Sequence, residues 1–219
     1  MSKMKRRGAK QSSSSDIVYQ NLTHNGEYEG RLRYVADLGL QERSYKGEEK
    51  DPAQQLSLGI EILGEFVEID GKDVPRLLWT RPMNVFWTLT EKGKELEFLK
   101  VFIPSAEEGE EAEWGDALDM PCNVIIENVP GKGANKDKVF DNIKSLSPIP
   151  AKYRKGVDVG VMTSALGDAD DEENEATKAL YGLAKFVWDK RLEEDDIPDG
   201  QDEMDGAPGG EDFEDDIPF

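Results

Sequence analysis

This sequence has almost no cysteine or histidine, no long apolar run, and far fewer cations than anions. Each shortage removes a class of protein. A single cysteine, Cys122, excludes an internal disulfide and suits a reducing compartment. With His24 as the only histidine, a Cys/His zinc site cannot be assembled either. No segment approaches the ~18 apolar residues that span a bilayer. Residues 1–15 are basic and then serine-rich rather than apolar, so neither a secretory leader nor a membrane anchor is expected there. The expectation is a soluble, cytoplasmic protein without a membrane partner.

Catalytic signatures are also missing. Gly131-Lys132-Gly133 lacks the glycine spacing, the Lys-Ser/Thr pair and the following helix of a phosphate-binding loop. The carboxylates lack the alternating ligands and glycine of a calcium loop. No Ser, His or Cys forms a recognisable nucleophile–base pair, and nothing singles out residues for a carboxylate-metal nuclease. No enzyme activity, cofactor or metal is expected.

Positive charge is scarce overall: 27 Lys and Arg face 47 Asp and Glu, for a net charge of −20. The imbalance is local. Thirteen acids lie in residues 193–219, which hold no Lys or Arg, and removing that stretch leaves −7 on the first 192 residues. Seven more acids fall in 107–119 and six in 168–175. What remains is mildly basic, so the low isoelectric point does not argue against a polyanionic partner.

Three regions follow from composition. Residues 1–20 read as a disordered basic arm, with Lys3, Lys5, Arg6, Arg7 and Lys10 ahead of Ser12 to Ser15. Such an arm either touches phosphates without reading sequence or stays solvated. Residues 21–192 read as one mainly β domain, and 193–219 as a disordered acidic tail.

Within the domain, Glu29 to Leu40 alternates as a strand, with Leu32, Tyr34, Ala36 and Leu38 on one face and Arg31 and Arg33 on the other. A polar connection over 43–52 leads to a second strand, Gln55 to Ile69, that bends at Gly59 or Gly64. Asp70-Gly71 makes a hairpin turn into a third strand, Val74 to Thr80. Thr88 and Glu91 have capping-box spacing, and Leu96, Leu99 and Phe102 mark one face of the helix that follows. An acidic loop around Trp114 precedes a strand from Cys122 to Val129. A glycine-rich hairpin then leads to a partner strand, Lys136 to Leu146. A last helix, Glu175 to Leu192, carries Ala179, Leu183, Phe186, Val187 and Leu192 as an apolar stripe, expected to pack on the domain, with a coiled-coil partner surface as the alternative. Three strands, a helix and two strands is the element order of an OB-fold, a five-stranded Greek-key barrel.

Single-stranded DNA needs cations along its backbone and aromatic faces for its bases. On the last strand Lys136, Lys138, Phe140, Asn142 and Lys144 alternate on one side, leaving Val139, Ile143 and Leu146 for the core. Phe140 is either a stacking platform or a half-buried ring beneath snorkelling lysines. Arg76, Trp79, Arg81 and Trp87 form a second candidate set, which Arg31 and Arg33 extend, although large aromatics are more often core residues. Lys152, Tyr153, Arg154 and Lys155 make a third basic-aromatic patch.

The sequence closes on Asp212-Phe213-Glu214-Asp215-Asp216-Ile217-Pro218-Phe219. A terminal carboxylate can be held by a basic residue while Ile217 and Phe219 enter an apolar pocket. Pro218 lowers the entropy cost of docking. This ending resembles the acidic tip, closing on Asp-Ile-Pro-Phe, of the bacterial single-stranded DNA-binding proteins, with Glu214 where that family more often has aspartate. The layout of residues 28–150, with its hairpin ending in Asn142-Ile143-Lys144-Ser145-Leu146-Ser147-Pro148, resembles the single-stranded DNA-binding proteins of tailed bacteriophages. The resemblance implies an OB-fold core coating exposed strands during replication, recombination and repair. It also implies that Asp215, Asp216, Ile217, Pro218 and Phe219 recruit partner proteins, and it is compatible with homo-oligomer formation. Two other readings stand beside it: an acidic adaptor or DNA mimic, and a strand-annealing recombination protein.

Overall fold

The computed structural model describes Leu22 and residues 25–86, 88–91, 93–157 and 165–192. The basic arm, His24, Trp87 and the acidic tail with its tip lie outside the described residues.

The sheet starts from two long strands, β1 (Gly26–Tyr45) and β2 (Glu48–Ile69), joined at Lys46-Gly47. Both turn residues have positive φ, 52° and 81°, the conformation a tight hairpin of this twist requires. The polar connection expected over 43–52 is therefore paired strand. Asp70-Gly71, at φ 51° and 74°, makes the expected second hairpin into β3 (Lys72–Trp79). A short β4 (Met83–Asn84) pairs with β2, and β5 (Pro121–Pro130) returns to lie antiparallel beside β1. Then β6 (Val139–Pro148) pairs with β5, and a two-residue β7 (Ala165–Leu166) pairs with β1.

The resulting order is β3-β2-β1-β5-β6. Three hairpin-connected strands with the next long strand back beside the first form a Greek key. No ladder joins β3 to β6 among the described residues, so the sheet is mainly antiparallel and open. Its two edges nevertheless meet through a side-chain pair, Arg76 Nη1 to Asp141 Oδ2 at 3.1 Å. That contact requires the sheet to curl.

Both faces of the sheet are covered. On the inner face Leu32, Val35, Leu58, Ile60, Leu78, Val124 and Ile126 pack with Leu96, Leu99 and Phe102 of α1 (Lys94–Phe102). The expected capping box does not form. Gly93 stands at the helix N-terminus without a side-chain cap, because a turn bonding Gly93 N–H to Thr90 O intervenes. The acidic loop contains a short α2 (Trp114–Ala117), and the buried Trp114 donates Nε1–H to Glu95 of α1 at 3.2 Å. Burial pushes the Glu95 carboxyl above its ordinary range, partly offset by that hydrogen bond.

On the outer face Tyr34, Ala36 and Leu38 pack with Ala176, Leu180, Ala184 and Trp188. The single face expected for Leu32, Tyr34, Ala36 and Leu38 is thus split between the two cores. A bulge at Arg33, where Leu32 pairs with Ile60 but Tyr34 with Gly59, moves the side chains after it to the opposite side. The expected terminal helix is also divided, into α4 (Glu175–Lys178) and α5 (Gly182–Trp188). Tyr181, extended at φ −149°, breaks the helix between them, and Gly182 opens α5 at φ +61°. The buried set is Ala176, Leu180, Ala184 and Trp188, whereas Phe186 of the expected stripe is 51% exposed. Trp79 Nε1–H to Ala179 O at 3.1 Å and Trp188 Nε1–H to Ala169 O at 3.1 Å fasten this layer down.

Candidate nucleic-acid interface

The sheet separates the candidate residues into two groups, those engaged internally and those facing solvent. Arg31 belongs to the first. Its side chain is 1% exposed and forms ion pairs with Glu61 at 2.9 Å and Asp119 at 2.7 Å. Arg33 shares Glu61 at 3.3 Å and lies over the Tyr34 ring. Arg76 is buried against Asp141. Trp79 stacks on Tyr34 with ring centroids 6.2 Å apart, over the close approach of Gly59. Arg154, on α3 (Ala151–Arg154), donates to Ile149 O, and to Phe102 O and Val101 O at the C-terminal end of α1. These side chains hold elements together, and a phosphate would have to displace their partners.

The second group lies mainly on the β5–β6 hairpin. A 3-10 turn, Gly133–Asn135, carries the chain between the strands, and Gly131 N–H bonds Lys138 O at 2.8 Å. Lys136 therefore sits in the turn and Lys138 just before β6, so the period-two alternation with Phe140 does not extend through a strand. All three residues are exposed nonetheless, as is Lys132, which period-two alternation on the last strand could not include. Phe140 is 36% exposed and Val139, expected in the core, is 41% exposed. A Cβ at Gly131 would stand 2.9 Å from the Phe140 ring and 2.1 Å from Asn135 O, so the glycine lets the ring lie against the turn. Phe140 also pairs directly across the ladder with Val129. The hairpin thus presents a braced, half-exposed ring beside three lysines, with Asp137 as the opposing charge in the turn.

Farther along, a bulge switches the side-chain alternation. Ile126 pairs with Ile143 and Ile125 with Ser145, leaving Lys144 as the extra residue. This lets Ile143 and Leu146, three apart, both pack inward. Lys144 stands 3.6 Å from Glu127, a half-exposed surface pair. Toward β1 the same side of the sheet carries exposed Glu27 and Glu29, which pair with Ile125 and Asn123. The cationic character therefore belongs to the hairpin end.

Lys152 and Tyr153 are exposed, with the lysine over the ring at 4.6 Å, but they lie beyond the other end of β6. Eight residue steps along an extended strand separate Phe140 from Pro148 at that end, about 26 Å. Arg81 is exposed on the connection after β3. Trp87, Asp215, Asp216, Ile217, Pro218 and Phe219 fall outside the described residues. Among the described residues no group of His, Cys, Asp and Glu is placed to hold a metal ion, and no helix is long and apolar enough to cross a membrane.

Compared with protein-family models, curated proteins and solved structures, the chain matches none.

Proposed function

We propose that this protein binds single-stranded DNA without sequence preference, through the β5–β6 hairpin of an OB-like sheet, and protects exposed strands in replication, recombination and repair. The observation that carries this reading is the exposed Phe140 beside Lys132, Lys136 and Lys138. A ring open to solvent gives a base a stacking partner, and the lysines attract the phosphates on either side of it. The Greek-key order and the helix between β3 and β5 support an OB-fold whose third and fifth long strands meet through Arg76 and Asp141 rather than through a ladder. In such folds the loop between the last two strands is one of those that hold oligonucleotides. No catalytic step is part of this proposal. The segment 212–219 recruits partner proteins, with Ile217 and Phe219 as apolar anchors and Asp215 and Asp216 facing a basic rim.

The test is the anisotropy of a labelled oligothymidylate, with a labelled duplex beside it. Anisotropy is chosen over tryptophan quenching because, among the described tryptophans, Trp114 and Trp188 are buried and Trp79 is stacked on Tyr34. Salt-sensitive binding of the single strand, weakened by Lys136→Gln with Lys138→Gln, supports the reading. No binding by the full chain or by a chain ending at residue 192 overturns it. The exposed acids Glu27 and Glu29 and the tail would then favour an acidic adaptor.

A further inference from the structure

The outer face of β2 and β3 divides in two along its length. At one end Leu77 and Trp79 lie under the C-terminal layer, where Tyr181 Oη–H bonds Leu77 O and Trp79 Nε1–H bonds Ala179 O. Toward the other end β2 sets four residues, Ile62 to Glu65, against the single Arg76, with Gly64 at φ +78°. This bulge bends β2, and past it Phe66 pairs with Pro75. Along β3, Leu78 and the buried Arg76 face inward and Trp79 and Leu77 outward, so Pro75 faces outward as well. Directly paired residues share a side of the ladder, which puts Phe66 there too, 54% exposed. On β6 the buried Asp141 and Ile143 face inward, so Phe140 projects outward with Val129 opposite it. Both β3 and β6 run parallel to β1, their Cα atoms come within 8 Å, and the Arg76–Asp141 pair brings Pro75 beside Phe140. One outward apolar row therefore crosses four strands: Phe66, Pro75, Phe140 and Val129.

We infer that Phe66 is a second base-stacking residue, and that the bound single strand crosses from the β5–β6 hairpin over Pro75 to Phe66. This rests on the proposed DNA binding and gives the strand a direction across the sheet. The covered half of the β2–β3 face is closed to bases, and the open half ends on an exposed ring. One ladder spacing of ~5 Å and one crossing of up to 8 Å separate Phe66 from Phe140 by about 13 Å. That is about four nucleotides at a stacked rise of ~3.4 Å. Glu68 and Asp73 pair on the same side, two residues beyond Phe66 and before Pro75, and both are exposed. They repel phosphates, so a neutral base suits Phe66 while Lys132, Lys136 and Lys138 hold the backbone at the hairpin. Pro75 has no N–H to offer an added strand, which disfavours an extended peptide on this edge.

The experiment measures the anisotropy of a labelled oligothymidylate of about eight nucleotides, within the ~4–16 range of one OB-type site. At fixed salt it compares the full chain with Phe66→Ala, Phe66→Leu, Phe66→Trp and Phe140→Ala, with thermal melts of each. Phe66→Leu keeps an apolar side chain without a π face, and Phe66→Trp keeps the face. Phe66→Ala and Phe66→Leu are expected to bind ~5–150-fold more weakly, the loss of one base–aromatic stack. Phe66→Trp should bind at least as tightly as the parent, and the melting temperatures of all three should stay near the parent's. Parent affinity for Phe66→Ala beside a weakened Phe140→Ala overturns the inference and leaves the hairpin proposal standing. Parent affinity for Phe66→Leu overturns it too, since the contact would then be apolar packing rather than stacking. So does a loss in Phe66→Trp equal to that in Phe66→Ala. Failure of the full chain to bind at all removes the proposed function together with this inference.

Discussion

Arg31 and Glu61 give the sharpest stability prediction. Their side chains are 1% and 8% exposed, 2.9 Å apart, and Glu61 also serves Arg33 at 3.3 Å. Changing Glu61 to Gln removes the carboxylate that faces both guanidinium groups, and Arg31 keeps Asp119 at 2.7 Å, which is itself 49% exposed. Breaking a buried pair by removing one partner costs ~3–5 kcal/mol, and the surviving contact to Asp119 places Glu61→Gln near the lower end, about 3 kcal/mol. For a chain of this size that is a fall in melting temperature of roughly 6–12 °C. Arg31→Met is the milder change, at about 1 kcal/mol. It fills the site with apolar volume and leaves Glu61 paired with Arg33. Urea unfolding of the three proteins, with midpoints compared at constant slope, measures both values. Because Arg31 is enclosed, Arg31→Met should also keep the parent affinity for oligothymidylate. The reasoning fails if Glu61→Gln lies within about 0.5 kcal/mol of the parent, the range of an ordinary surface change. It fails equally if Arg31→Met is the more damaging variant.

Three further outcomes are expected. Burial raises the Glu95 carboxyl above its ordinary value of 4.5, so its folded-state contribution is complete below pH 4.5 and is lost as pH rises through the raised value. Glu95→Gln keeps an acceptor for Trp114 and avoids burying a charge; it should be the more stable protein at pH 7 in thermal melts, with the gap closing as pH falls toward 4.5. Gly59→Ala would place a Cβ 3.0 Å from Tyr34 and 3.1 Å from Trp79, and should cost ~1–3 kcal/mol by overpacking; an unchanged urea midpoint would mean the Tyr34–Trp79 stack is not fixed as described. Removing residues 193–219 takes away thirteen acids and should tighten oligonucleotide binding most at low salt, where screening is weakest; equal affinity at every salt concentration would exclude competition by the tail.

Features set by near neighbours in the chain were the legible ones. Asp70-Gly71 could be read as a hairpin because its turn chemistry is local, and Lys46-Gly47 uses the same geometry but was hidden among polar residues. Strand alternation located the strands but missed the bulges at Arg33 and Lys144, which reverse the facing of the residues that directly follow them. The helix period over 175–192 did not reveal the break at Tyr181, and the face that packs is Ala176, Leu180, Ala184 and Trp188 rather than the predicted stripe with its exposed Phe186. The cationic candidates depended on distant partners. Arg31 lies 30 residues from Glu61 and 88 from Asp119, and Arg76 lies 65 from Asp141. Nothing near those arginines in sequence marks them as enclosed. Lys136, Lys138 and Phe140 were legible because a short hairpin keeps sequence neighbours together at the surface.

The most direct test of the hairpin as a DNA interface is the affinity of Phe140→Ala for oligothymidylate, measured by anisotropy beside the parent and Arg31→Met. A base–aromatic stack is worth ~1–3 kcal/mol, so Phe140→Ala should bind ~5–150-fold more weakly at fixed salt while Arg31→Met binds like the parent. Unchanged affinity for a folded Phe140→Ala would contradict the account, as would an equal loss in Arg31→Met.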